Sequence, residues 1–194
     1  MHDKKFKEKY ERKLNKIDKI VKKRNDVRWI IRITIIAFLI TLFFSGTSEM
    51  VMKNVNVIFG IFIIIFFIII GVIFDMVGIA VASADEKPFH SMASKQVRGA
   101  KTGVMMIKNA EKVSAFCNDV IGDICNIMSG SAGIVIAGNL SINNSLNFAP
   151  TILLITSLIA ATTIGGKAMG KSLAINKSEV IVFKFARIAG IFYR

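Results

Sequence analysis

The chain has 194 residues, of which 53% are hydrophobic, and its 26 basic and 13 acidic residues give a formal net charge of +13. We expect this length to hold one membrane domain with short appendages and to leave no room for a soluble catalytic domain. The sequence shows no nucleophile paired with a base and no phosphate-binding loop, so we do not expect an enzyme.

The N-terminal arm, residues 1–28, carries twelve basic residues. Its apolar residues recur every three or four positions, from Phe6 to Val21, which predicts one apolar stripe on a helix. A basic amphipathic helix of this kind is typical of a membrane surface with anionic headgroups. Nucleic-acid binding is the less favoured alternative, since few stacking aromatic residues accompany the charges. The basic residues assigned to the membrane surface are Lys4, Lys5, Lys22, Lys23, Arg24 and Arg28.

Two long stretches, residues 54–74 and 124–166, contain no charged residue. A helix needs about 20 apolar residues to cross a bilayer. The first stretch therefore predicts one span, and the second predicts two. A further span, Trp29–Phe44, precedes them. The predicted spans are therefore 29–44, about 55–76, about 115–138 and about 150–170, with a polar loop over 139–149.

Two further segments, about 84–113 and 175–194, mix basic and apolar residues and predict helices along the membrane surface. An even number of spans puts every basic-rich segment on the cytoplasmic side. The predicted fold is thus an all-α integral membrane protein with four transmembrane helices, interfacial amphipathic helices, and cytoplasmic N- and C-termini. It divides into the arm 1–28, an additional span with an external loop at 29–54, and a three-span domain at 55–194.

Polar residues within the spans are candidate functional residues, because ionisable groups are costly in lipid. Helical spacing places Asp119, Asp123 and Asn126 on one face, where carboxylate and amide oxygens suit a magnesium ion. Asp123 and Asn126 are the predicted metal ligands. The alternative is that Asp123 forms a structural ion pair with Lys167. The candidates for the cation site are Asp75, Asn118, Asp119, Asp123 and Asn126.

Several segments resemble the transmembrane domain of the CNNM/CorB/CorC family of magnesium transporters. They are FDMVGIAVASADEKPF, QVRGAKTGVMMIKNAEKVSAF, GDICN, SGSAG and GKAMGKSLAINKSEVIVF, which together cover roughly residues 57–191. In the closing motif Gly166, Lys171 and Ala174 agree with the family, whereas Lys167 stands where the family has Glu. The family's Ser-x-Ser-Glu segment corresponds to residues 75–78. Neither serine is present there, and Gly78 stands at the position of the Glu. Its Gly-Asn motif corresponds to Gly122 and Asp123.

The resemblance implies a dimeric transporter that binds or moves a divalent cation, magnesium or cobalt, between its transmembrane helices. It also implies a homodimer in the plasma membrane of a prokaryote, with a larger membrane partner as a further expectation. An ammonium group at the family's Glu position would repel that cation. The alternative is therefore a structural or regulatory membrane protein that keeps the fold without transporting.

Overall fold

A computed structural model of the protein describes residues 27–44, 46, 57–144 and 147–192. Within these ranges the chain is helical apart from short turns, and no strand occurs. A π-helical segment, Phe116–Gly122, joins α5 directly to α6. The helices are α1 (Val27–Phe44), α2 (Val57–Ser83), α3 (Glu86–Ser94), α4 (Ala100–Lys108), α5 (Ala110–Ala115), α6 (Asp123–Asn144), α7 (Phe148–Asn176) and α8 (Ser178–Phe192).

Among the described residues, four helical stretches are long and apolar enough to cross a membrane: Val27–Phe44, Val57–Ser83, Ala110–Ile142 and Phe148–Asn176. This confirms four apolar helices at the predicted positions. With 27 residues, α2 is about 40 Å long, which exceeds the roughly 30 Å hydrocarbon core of a bilayer. Large apolar side chains stay exposed along these helices, Phe62 at 71% and Leu154 at 73%. Such surfaces suit lipid and not water, so the chain has the character of a membrane protein.

Several helices extend beyond their predicted boundaries. The second span continues to Ser83, and the third starts at Ala110, because α5, the π-helical segment and α6 are continuous. The polar loop predicted over 139–149 is also wrong in extent: α6 continues to Asn144 and α7 begins at Phe148. Uncharged polar residues such as Asn139 remain helical here, since the helix satisfies their backbone groups internally.

The boundary between two units of the chain falls within α1, after Leu39. The helix α1 is therefore described by itself. Its Thr34 hydroxyl donates to the Ile30 carbonyl at 2.9 Å, which satisfies a polar group within the helix. Arg28 lies in its first turn. Residues 1–26 of the amphipathic arm fall outside the described residues, and with them Lys4, Lys5, Lys22, Lys23 and Arg24.

Within residues 57–192, α2 packs against both α6 and α7. Ile64 and Ile68 of α2 form one apolar cluster with Ala132 and Ile136 of α6. Glycine lets the helices approach closely: a Cβ on Gly71 would lie 3.1 Å from the Cβ of Cys125. Small residues commonly mediate such close packing between membrane helices.

A second layer, formed by α3, α4 and α8, covers the C-terminal ends of α2 and α7. Its core joins Val81 of α2 and Ala174 of α7 to the fully buried Phe89 of α3 and Val182 of α8. Helices therefore form in both segments where the sequence predicts amphipathic helices. We call this group of helices the α3/α4/α8 layer.

Candidate functional site

An ion pair joins α2 to α7 inside the helical bundle. The Nζ atom of Lys167 lies 3.7 Å from Oδ1 of Asp75, with side-chain exposures of 24% and 15%. The separation is longer than a direct hydrogen bond, so the contact is mainly electrostatic. Ionisable residues at such positions in membrane helices usually pair with one another and mark functional sites.

The π-helical segment supplies the third wall of this site. A Cβ on the buried Gly122 would lie 3.7 Å from Nζ of Lys167 and 3.5 Å from the Cys117 carbonyl oxygen. The ammonium group therefore lies beside the backbone of the segment where its turns are widest. π-Helical turns are rare and occur frequently at functional sites.

Asn118, within the same segment, packs against α2 at Gly78. A Cβ on Gly78 would overlap the Asn118 side-chain amide. The amide nitrogen donates to the Ser114 hydroxyl at 3.4 Å, whereas Oδ1 is buried and has no hydrogen-bond partner among the described residues. A buried acceptor without a partner is costly, which makes this atom a candidate ligand for a cation or a proton donor.

The other predicted cation ligands do not share this environment. Asp119 and Asp123 are exposed, whereas Asn126 is half-buried and lines a cavity of about 290 Å³ between α6 and α7. The buried face of this stretch instead carries Cys117, Val120 and Cys125. Asp119 and Asp123 are both on the exposed side, as the single-face prediction requires, whereas Asn126 lies towards α7.

The cavity beside Asn126 is lined by groups that already have partners. The hydroxyl of Ser129 donates to the Asn126 carbonyl at 3.0 Å, and that of Thr163 donates to the Ile159 carbonyl at 2.8 Å. The two predicted metal ligands, Asp123 and Asn126, are thus not brought together at this cavity. Across the described ranges, no three carboxylate, histidine or cysteine side chains form a group that could hold a metal ion.

The predicted ion pair between Asp123 and Lys167 is wrong, because Lys167 pairs with Asp75 instead. Asp123 begins α6 on its exposed side, away from the α2–α7 contact. The other three residues of the closing motif differ in burial. Gly166 is half-buried beside Val72, Lys171 is exposed, and Ala174 is fully buried.

Gly78 and Gly122 belong to the site; the resemblance placed both in motif segments, but neither was identified from the sequence as a packing residue of the site. A readable signal existed on α2, since Gly71, Asp75 and Gly78 recur at intervals of four and three residues. That spacing places them on one helix face, and small residues mark the face that packs. The pattern indicates that Asp75 points towards neighbouring helices and not towards lipid.

The comparisons with known proteins found no matching family model, no matching curated protein and no matching solved structure.

Proposed function

We propose that the chain is a non-transporting structural or regulatory membrane protein of the prokaryotic plasma membrane, in which Lys167 occupies the position of a cation. The observation that carries the proposal is the 3.7 Å contact between Lys167 and Asp75. It neutralises the carboxylate that a cation would need as a ligand. The resemblance to CNNM/CorB/CorC transporters supplies the comparison, since the family has Glu where this chain has Lys167.

Electrostatics supports this choice. Two unit charges 4 Å apart interact by about 4 kcal/mol at an effective dielectric constant of 20. A divalent ion beside the Lys167 ammonium would therefore meet a repulsion of roughly 8 kcal/mol, a loss of several orders of magnitude in affinity. Magnesium could bind next to Asp75 only after the ammonium had moved away.

We propose that the α3/α4/α8 layer lies at the cytoplasmic surface, with both termini on that side. Basic residues are frequent in the segments 84–113 and 175–194, and the layer covers one end of the bundle. The segments 45–54 and 139–149, which the four predicted spans put on the other side, contain one basic residue, Lys53. Cytoplasmic segments of membrane proteins are enriched in Lys and Arg, which supports this orientation.

We propose a homodimer as the assembled form, in which a second copy covers Asp119 and Asp123. Both carboxylates are exposed on a helix that is long and apolar enough to span a membrane. An Asp facing lipid at the centre of a helix costs about 2.5–3.5 kcal/mol. A neighbouring chain that presents hydrogen-bond donors or basic side chains to this face would reduce that cost. A larger membrane partner with a complementary surface could fill the same role.

The decisive experiment is magnesium flux into proteoliposomes that contain the full chain, under a sodium gradient. Wild type, Lys167→Glu and Lys171→Glu are run in parallel. Lys171 is the matched control, since it is exposed and lies one helical turn further along α7. We expect no flux from the wild type or the control. Flux in the wild type would overturn the proposal and establish transport.

A second candidate function, divalent-cation binding with Lys167 as a displaceable counter-ion, is favoured by the unpartnered Oδ1 of Asn118. This oxygen lies against Gly78, one turn from Asp75 along α2. Magnesium binds carboxylate and amide oxygens while keeping some of its water. This candidate predicts that Lys167→Gln binds magnesium in a calorimetric titration and that adding Asn118→Ala abolishes the binding. Equal titrations of both variants would reject it.

A further inference from the structure

A cavity of about 760 Å³ lies between the start of α4 and the last turns of α8, apart from the ion pair of Asp75 and Lys167. It is partly open and is lined by Arg98, Gly99, Thr102, Arg187, Gly190 and Ile191. Its volume falls within the range of pockets that bind small ligands. Both arginines are exposed and Thr102 is half-buried, so the lining combines two guanidinium groups and one hydroxyl.

Two glycine residues in the lining, Gly99 before α4 and Gly190 on α8, let the walls of this cavity approach each other. Gly99 has a φ of +88°, and a Cβ there would lie 2.8 Å from the Cα of Arg187. Gly190 faces Thr102 in the same way, since a Cβ on Gly190 would lie 3.2 Å from Oγ1 of Thr102. The backbones of α4 and α8 therefore approach closely at this point. Side chains at these two positions would force the two walls of the cavity apart.

Within the part of the chain that the structure describes, no carboxylate neutralises the donors that line the cavity. Among the described residues, neither Arg98 nor Arg187 forms a salt bridge with a carboxylate, and the Thr102 hydroxyl has no hydrogen-bond partner. Arg187 stacks over the Phe183 ring at 5.4 Å, which restricts its orientation without changing its charge. The acidic residue of α3, Glu86, is engaged elsewhere, with Lys108 and His90.

We propose that this cavity binds a phosphate group, held by the guanidinium groups of Arg98 and Arg187 and by the Thr102 hydroxyl. Arginine presents a planar fork of donors that matches phosphate oxygens two at a time. Two such forks and a hydroxyl offer more donors than the two oxygens of a carboxylate can accept. The ligand is either the headgroup of an anionic lipid or a soluble phosphate compound, which use the same chemistry.

The test uses the purified full chain in neutral detergent micelles, with the thermal unfolding midpoint as the readout. One arm adds phosphatidic acid against an equal amount of phosphatidylcholine. The other adds inorganic phosphate against sodium chloride of equal ionic strength. Saturable stabilisation by phosphatidic acid alone identifies a lipid headgroup, and stabilisation by inorganic phosphate identifies a soluble source. Absence of saturable stabilisation in both arms overturns the proposal.

Two paired variants separate a defined site from general attraction to anions. Arg98→Lys with Arg187→Lys keeps both charges but loses the planar forks. We expect it to weaken binding by about tenfold or more, since each charge-assisted contact contributes about that factor. Lys112→Gln with Lys177→Gln removes two exposed charges outside the cavity and should bind like wild type. Affinity lost equally in both pairs, or unchanged in the arginine pair, would also overturn the proposal. The unfolding midpoints without ligand establish that both variants fold.

Discussion

Lys167 and Asp75 face each other across the contact between α7 and α2, with 3.7 Å between Nζ and Oδ1. Each is the nearest charge that balances the other, and both are more than three-quarters buried. Removing one partner from a buried pair leaves an uncompensated charge, whereas removing both leaves none. The pair therefore ties the stability of the bundle to two residues that lie far apart in the sequence.

The ion pair predicts non-additive effects of substitution. Lys167→Met and Asp75→Asn should each destabilise the folded protein by about 2 kcal/mol. This loss is smaller than that for one partner of a fully buried pair, because both side chains are partly exposed. The double variant should be more stable than either single one. Thermal unfolding in detergent measures all three, with Lys171→Met as the exposed control. Additive losses would mean that the two side chains do not interact.

The contact between Gly78 and Asn118 predicts a clash that a second change relieves. Gly78→Ala adds a methyl group where the Asn118 amide lies, and overpacking of this kind costs about 1–3 kcal/mol. Adding Asn118→Ala removes the obstructing amide together with its unpartnered oxygen. The double variant should recover the unfolding midpoint of the wild type or exceed it. A double variant no better than Gly78→Ala would contradict the arrangement.

Gly99 predicts a strong effect from a single methyl group. Gly99→Ala places a Cβ on a backbone with positive φ and against the backbone of Arg187. The strained conformation alone costs about 1–3 kcal/mol, and the contact with α8 adds to it. Gly165→Ala is the matched control, because nothing lies within 4 Å of a Cβ at that helical position. It should leave the unfolding midpoint unchanged or raise it slightly.

The proposed homodimer predicts cross-linking through the exposed acidic face. In a background with Cys117→Ala and Cys125→Ala, the variants Asp119→Cys and Asp123→Cys should form disulfides between two copies in membranes. Ile127→Cys provides an exposed position further along α6 for comparison. Gel electrophoresis without reductant reports the covalent dimer. A band that forms only at Ile127 would place the interface elsewhere on the helix.

The N-terminal arm predicts lipid binding that is separate from membrane insertion. Deleting residues 1–20 should leave insertion intact and weaken association with anionic lipid, by about 1 kcal/mol for each basic residue that had lain near the surface. Fractionation of membranes and binding to vesicles with and without phosphatidylserine measure the two effects. Failure of the truncated chain to insert would give the arm a structural role.

The long apolar helices could be predicted from the sequence because the requirement that favours them is local. A backbone in hydrocarbon must bond to itself, so a run of residues such as Ile63–Ile70 is helical whatever surrounds it. The amphipathic segments around Phe89 and Val182 were predictable for a similar reason. Their apolar residues recur at helical spacing, and both helices form.

The partners of the charged residues could not be predicted in the same way. Pairing of Lys167 with Asp75, and not with Asp123, depends on how three helices are rotated, and the π-helical segment changes that rotation. No local feature of the sequence predicts the seven-residue π-helical segment, Phe116–Gly122. The cavity between α4 and α8 depends likewise on Gly99 meeting Arg187, a contact between distant segments.

The order of the helices along the chain has a consequence for synthesis. Asp75 emerges from the ribosome before Lys167, and at about 5–20 residues per second the roughly 90 intervening residues take about 5–20 s. Until α7 arrives, the carboxylate has no ammonium beside it, and an uncompensated charge is unfavourable in lipid. We therefore expect the newly made α2 to hold Asp75 near the headgroups or beside the insertion machinery. The ion pair can form, and α2 can pack against α7, only after α7 has been made.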